Sequence, residues 1–249
     1  MSSYIRVQYA SGLARALRAR QGKGCYGELI KPVAPYLALC GNIVSPHHRE
    51  LAVPFFNWAA DNFETVWWVP GHAEVAEPKG VISAGAGSGG VSRNLEEMYN
   101  FVQAEGLMNV HIANKLAKSY SGFKVLGISQ PSVNPRNIEH VYYGTKVAWT
   151  MADLEEINRR DHAWIEKEVA IHNLMANYTV AAKIKAKDEP LLVLTCGFVQ
   201  SNQYYKANII GDVARNMSGI NVIGLKKSWF GINNWEVEGY RPDCFVEMS

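Results

Sequence analysis

An α/β architecture of central β-sheets flanked by helices, in a single domain over residues 1–249, is the fold class predicted by three observations. Short apolar runs of strand length alternate along the chain with longer amphipathic segments. Hydrophobic residues make up 48% and charged residues 19% of the chain, enough to bury one large core. No internal repeat or long linker divides the chain.

Taken in order, Ile5-Arg6-Val7-Gln8-Tyr9 alternates apolar and polar residues and predicts a strand over residues 4–9. Residues 36–40 and 65–69 are continuous apolar runs, the pattern of strands buried on both faces. A helix is predicted between them over residues 48–63. Further strands are predicted over 109–112, 123–128, 191–195 and 220–224, and further helices over 92–104, 151–173 and 204–216. In the third of these four helices Leu154, Ile157, Trp164 and Val169 recur at near-helical spacing. Trp67-Trp68 and Trp229-Phe230 fall at strand positions, where aromatic bulk fills a core. Lys183, Lys185 and Lys187 alternate as on an exposed ribbon, and Tyr142-Tyr143 and Tyr204-Tyr205 fall in less regular stretches as candidate interface anchors.

A net charge of +2 supplies no global attraction to nucleic acid or to an anionic membrane. The N-terminal stretch is locally basic, with Arg6, Arg15, Arg18, Arg20 and Lys23 before the first acid, Glu28. With Ser2, Ser3 and Ser11 this composition matches a mitochondrial transit peptide, whereas the strand-like alternation reads as folded structure. The preferred expectation is a solvated basic loop facing a protein partner through Arg15, Arg18, Arg20 and Lys23; phosphate contacts are the weaker alternative. Cys25, Cys40, Cys196 and Cys244 are widely spaced, so free and mostly buried thiols in a reducing compartment are expected. No apolar run reaches the roughly 18 residues of a membrane-spanning helix, so a soluble protein is expected.

Gly85-Ala86-Gly87-Ser88-Gly89-Gly90 matches the G-x-G-x-x-G fingerprint, with Glu105 about where a ribose-binding acid belongs. The preceding run, Val81 to Ala84, is short for a central strand, so a surface loop is the expected reading. His47-His48 follows Pro46; neighbouring residues rarely converge on one ion, and a helix start is expected there.

In open α/β sheets ligands gather at the carboxyl ends of strands. Those ends read Tyr9-Ala10-Ser11-Gly12-Leu13-Ala14, Cys40-Gly41-Asn42-Ile43, Val69-Pro70-Gly71-His72-Ala73-Glu74, Leu194-Thr195-Cys196-Gly197 and Trp229-Phe230-Gly231-Ile232-Asn233-Asn234. Their order and spacing resemble the calcineurin-like metallophosphoesterases, whose blocks look like S-D-L-H, G-D-I, P-G-N-H-E, T-H-H and F-G-H-T-H. The resemblance runs from Val7 to about Asn234. It includes the helix and strand leading to Gly71 and the helix around His162 to Glu168, and it implies a calcineurin-like phosphoesterase sandwich.

The departures from that pattern decide the functional expectation. A two-metal phosphoesterase needs oxygen and imidazole ligands with a bridging carboxylate, holding two cations about 3.5–4 Å apart. Gly12 and Ala14 stand where the family places Asp and His. Asn42 replaces the bridging Asp, and His72 and Ala73 replace Asn and the catalytic His. Cys196 replaces a ligand His, with Gly197 after it, while Ile232 and Asn234 stand where two His belong. All seven histidines lie at or before His172. Even changes behind the ligands cost about 10–100-fold in affinity, so losing nearly all ligands implies no metal centre, no cofactor and no catalytic residue.

Two classes of function follow. The first is an inactive phosphoesterase scaffold, a pseudoenzyme retained as a structural or interaction subunit of a larger assembly such as a virus particle or an organellar complex. The second is an active or phosphate-binding enzyme with a rebuilt site of Cys196 and His72, joined by Asn42 and Glu74, since Cys and His suit zinc.

Overall fold

The computed structural model describes residues 5–21, 23–24, 26–71, 74, 89–120, 122–129, 139–142, 145–148, 151–181, 191–198, 220–225 and 245–248. Eleven strands and five helices occur among them. The order is β1 (Ile5–Ala10), α1 (Ala14–Ala19), α2 (Tyr26–Leu29), β2 (Tyr36–Cys40), α3 (Arg49–Asn62), β3 (Thr65–Val69), α4 (Gly89–Ala104), β4 (Val110–Ile112), β5 (Leu116–Tyr120), β6 (Phe123–Ile128), β7 (Glu139–Tyr142), β8 (Thr145–Ala148), α5 (Met151–Ala181), β9 (Leu191–Phe198), β10 (Ile220–Leu225) and β11 (Phe245–Met248).

One sheet runs β11-β1-β2-β3-β4, parallel from β1 through β4 and closed by antiparallel β11. The second runs β10-β9-β6-β5, with β6, β9 and β10 parallel and β5 antiparallel. β7 and β8 form a separate two-stranded ribbon. The mixed α/β class with helix-flanked sheets is therefore as predicted.

Side chains of a strand point alternately to its two faces, and here both faces are apolar. Leu37, Leu39, Val66 and Trp68 face α1, α3 and α4 in one core, with Leu17, Phe55, Phe56 and Phe101. Their neighbours Ala38, Cys40, Trp67 and Val69 face the second sheet, meeting Phe123, Val125, Leu192 and Leu194. The far face of that sheet presents Leu126, Ile128, Leu191 and Val193 to Ile165 and Val169 of α5. The layers are thus helices, sheet, sheet, helix. Consecutive Trp67 and Trp68 are both fully buried, one in each of two cores. The Trp67 indole N–H donates to the Tyr120 hydroxyl at 2.8 Å, and the Trp68 and Phe56 ring centroids are 4.2 Å apart.

The basic N-terminal stretch is a correction: α1 occupies it where a loop is expected. Ala14-Arg15-Ala16-Leu17-Arg18-Ala19 consists of strong helix formers. Leu17 is buried while Arg18 is exposed, and Arg20 pairs with Glu28 at 2.8 Å. Strands β5, β7, β8 and β11 carry no prediction, and Tyr142 closes β7 instead of lying in an irregular stretch. β5 reads Leu-Ala-Lys-Ser-Tyr and is mostly exposed at a sheet edge, so it lacks an apolar pattern. The predicted helix over 204–216, the Lys183 to Lys187 ribbon, Tyr143, Tyr204-Tyr205 and Trp229-Phe230 lie outside the described residues. Cys40 and Cys196 are free and buried. Among the described residues no helix is long and apolar enough to cross a membrane.

Candidate functional site

Because β1, β2 and β3 are parallel neighbours, their carboxyl ends open at one edge of the sheet. The first two ends are stitched together by backbone. Gly12 N–H donates to the Gly41 carbonyl at 3.0 Å, the Ser11 hydroxyl to the same carbonyl at 3.2 Å, and Ala14 N–H to the Asn42 carbonyl at 3.1 Å. Gly41 (φ +76°) and Asn42 (φ +56°) take left-handed conformations, which suit Gly and are tolerated by Asn.

The packing there is backbone against backbone. A Cβ placed on Gly41 would lie 2.5 Å from Cys196 Cβ and 3.2 Å from Gly71 Cα. One placed on Gly71 would lie 2.6 Å from Asn42 N and 2.8 Å from Gly41 Cα. The ends of β2, β3 and β9 therefore meet at contact distance.

Glu74 holds this junction. Its side chain is fully buried, and Oε2 accepts from Gly71 N–H at 2.8 Å and Asn42 N–H at 3.0 Å. Oε1 accepts from Ile43 N–H at 2.6 Å, Val44 N–H at 3.2 Å and the Trp68 indole N–H at 3.4 Å. Three successive N–H groups, 42 to 44, converge on one carboxylate, an anion-binding concavity made by the left-handed turn. A carboxylate offers about four lone-pair positions, and five donors occupy these two oxygens. Burial pushes the Glu74 carboxyl above its ordinary value, and the N–H groups of Ile43, Gly71 and Asn42 pull it back.

Cys196 is likewise committed. Its thiol donates to the Ser129 carbonyl at 2.6 Å, and Cys196 N–H donates to the same oxygen at 3.2 Å. Burial, then the charge of Glu74, pushes the thiol well above its usual range, so the side chain is a neutral donor rather than a thiolate ligand. Cys40 behaves similarly, pushed up to about 12 by burial.

Gly12, Ala14, Asn42, Glu74 and Cys196 thus come together as the sequence order suggests. His72, Ala73, Ile232 and Asn234 lie outside the described residues. The residues at hand do not fit a dinuclear centre: Gly12 and Ala14 offer no side-chain donor, the Glu74 oxygens serve backbone N–H groups, and Cys196 is a protonated thiol. Among the described residues no group of three or more His, Cys, Asp or Glu side chains is arranged to hold a metal ion.

The other conspicuous residues take structural partners. His47 Nε2 lies 3.3 Å from Asn94 Oδ1, and His48, at the start of α3, lies 3.3 Å from Glu50. Glu105 follows the end of α4 and pairs with Arg49, so it does not close a strand as a ribose-binding acid does. Gly89 and Gly90 open α4, and residues 85–88 lie outside the described residues. Sequence reasoning missed Ser129, which is 67 residues from Cys196 and carries no local signal.

No family model and no curated protein matches the sequence. Among solved structures, the chain is similar to the crystal structure of phosphopantetheinyl hydrolase (PptH) from Mycobacterium tuberculosis, at 15% identity and a TM-score of 0.39, over 80% of this chain and 70% of that one. A second solved structure is similar at 11% identity and a TM-score of 0.46, over 90% of this chain and 86% of the other. Likenesses this distant carry no argument about fold family or activity.

Proposed function

We propose that this chain is a degenerate calcineurin-like phosphoesterase, catalytically inactive and retained as a structural or interaction subunit of a larger assembly, such as a virus particle or an organellar complex. The observation that carries the proposal is the use of the two nearest ligand-type side chains for holding the fold. The Glu74 carboxylate is filled by backbone N–H groups, and the neutral Cys196 thiol donates to Ser129. The helix-sheet-sheet-helix layering, with the ends of β1, β2 and β3 packed together against β9, supports the calcineurin-like reading. A fold kept while its chemistry is lost is coherent when its surface is what is used.

Protein purified without chelator and analysed for metals is expected to hold less than one transition-metal ion per chain. With added manganese it is expected to cleave phosphodiesters no faster than a buffer blank. Turnover that disappears in Cys196→Ala or His72→Ala would establish the rebuilt enzyme instead. Native purification is expected to recover the chain in a defined assembly, and a monomer at all stages would count against the subunit role.

A further inference from the structure

Where the chain leaves β4 and crosses to β5 in the other sheet, a cavity of about 270 Å³ opens between the crossover and α4. This is just below the size range of ordinary small-molecule pockets. Its walls are largely apolar, from Val102, Val110, Ile112 and Leu116, with half-exposed Tyr99 beside them.

The polar groups in this lining are all potential donors. Lys115 brings the lining's single ammonium, and no carboxylate lines the cavity. Lys115 Nζ is ion-paired with the buried Asp161, at 3.8 Å from its Oδ1, just beyond hydrogen-bond length, so its hydrogens stay available to a ligand. Lys115 also adopts a left-handed backbone (φ +51°), uncommon for a residue with a side chain and concentrated at ligand clamps. Lys118 Nζ lies 3.3 Å from His111 Nε2. That ring faces Tyr120 between the two sheets, on the opposite side of β4 from Val110 and Ile112. Burial, then the Lys118 charge, pushes the His111 ring below its ordinary value. Asn114 Oδ1 accepts from the Ser129 hydroxyl at 3.2 Å, which leaves the Asn114 amide as a donor.

We propose that this cleft binds a small carboxylate with an apolar body, of the size and chemistry of benzoate. The apolar walls adjoin the ring, and Lys115 and Asn114 supply one positive charge and one neutral donor to the two oxygens. A phosphate dianion would leave charge uncompensated beside apolar walls, which is costly. The cleft touches the junction only through Asn114, which is bonded to Ser129, the partner of Cys196, and the proposal does not use the loss of phosphoesterase chemistry.

The test is a titration followed by NMR on the methyl groups of Val102, Ile112 and Leu116, with benzoate, benzamide and inorganic phosphate as probes. Benzoate is expected to shift these methyls with a millimolar Kd, and benzamide and phosphate are expected to bind roughly tenfold more weakly or worse, a gap of about 1.4 kcal/mol. Lys115→Asn keeps a residue tolerant of the left-handed backbone and is expected to weaken benzoate roughly tenfold while leaving benzamide unchanged. Lys115→Gln serves the same purpose if the Asn variant fails to fold, and Val102→Trp, which fills the cleft, is expected to abolish the shifts. Equal binding of benzoate and benzamide, shifts confined to other methyls, or insensitivity to the Lys115 variants would overturn the proposal. Tighter binding of phosphate would overturn the carboxylate assignment.

Discussion

Removing the Glu74 carboxylate leaves the N–H groups of Gly71, Asn42, Ile43 and Val44 facing a buried void, each costing about 1–3 kcal/mol when unsatisfied. Glu74→Ala is therefore expected to lower the unfolding free energy by about 3–5 kcal/mol in equilibrium denaturation. Glu74→Gln keeps one acceptor oxygen but turns an NH2 group toward donors, and an intermediate loss is expected. Two glycines give a sharper comparison. Gly24 (φ +62°) has open space around it, so Gly24→Ala should cost about 1–2 kcal/mol of backbone strain. Gly41 carries the same kind of strain and would also drive a Cβ into Cys196. Gly41→Ala is expected to cost at least about 3 kcal/mol, and equal losses at the two sites would refute the close packing of the loops. None of this is visible in the local sequence around Glu74, because its backbone donors on residues 42 to 44 lie 30 to 32 positions away.

At the scale of elements, α5 is the clearest case of a helix defined by one face. Ile165 and Val169 are buried against the second sheet, whereas Leu174 is 68% and Met175 59% exposed. Ile165→Ala should destabilise by about 2–5 kcal/mol, and Leu174→Ala should stay within about 0.5 kcal/mol by the same denaturation measurement. The predicted helix stops at residue 173 and the observed one continues to Ala181. The added residues include β-branched Thr179 and Val180, which weaken the local helix signal. β2, β3 and β6 fall on their predicted ranges because continuous apolar runs bounded by turn residues are local signals. β11 has only four residues and exists by pairing with β1 at the other end of the chain, which no local window can register.

For the molecule as a whole, the layer between the two sheets sets a pH dependence. The Cys40 thiol lies in that layer with a folded value of about 12 against an ordinary 9.0. A folded pKa above the unfolded one means that the neutral thiol's contribution is complete below about 9 and is lost as pH rises from about 9 to about 12. The loss amounts to at most about 1.4 kcal/mol per pH unit in that window. Burial raises Tyr36 and Tyr120, which pack against the same layer, and they act in the same direction. Urea midpoints measured across this range should fall, and Cys40→Ala should flatten the fall without removing it. An unchanged slope in the variant would show that the thiol titrates alike in the folded and unfolded states.

Length, composition and apolar periodicity by themselves determined that this is an α/β protein, where its buried strands run, and that Gly12 stands just past the end of β1. Those properties are legible because each is carried by a few neighbouring residues. Only the tertiary structure decided that the strands divide into two facing sheets and that Glu74 belongs to the backbone of residues 42 to 44. The pairing of the Cys196 thiol with Ser129 and the cleft between α4 and the β4–β5 crossover emerged at that level too. Each of these is a contact between distant parts of the chain, and such contacts are chosen by the burial of whole faces rather than by any local preference.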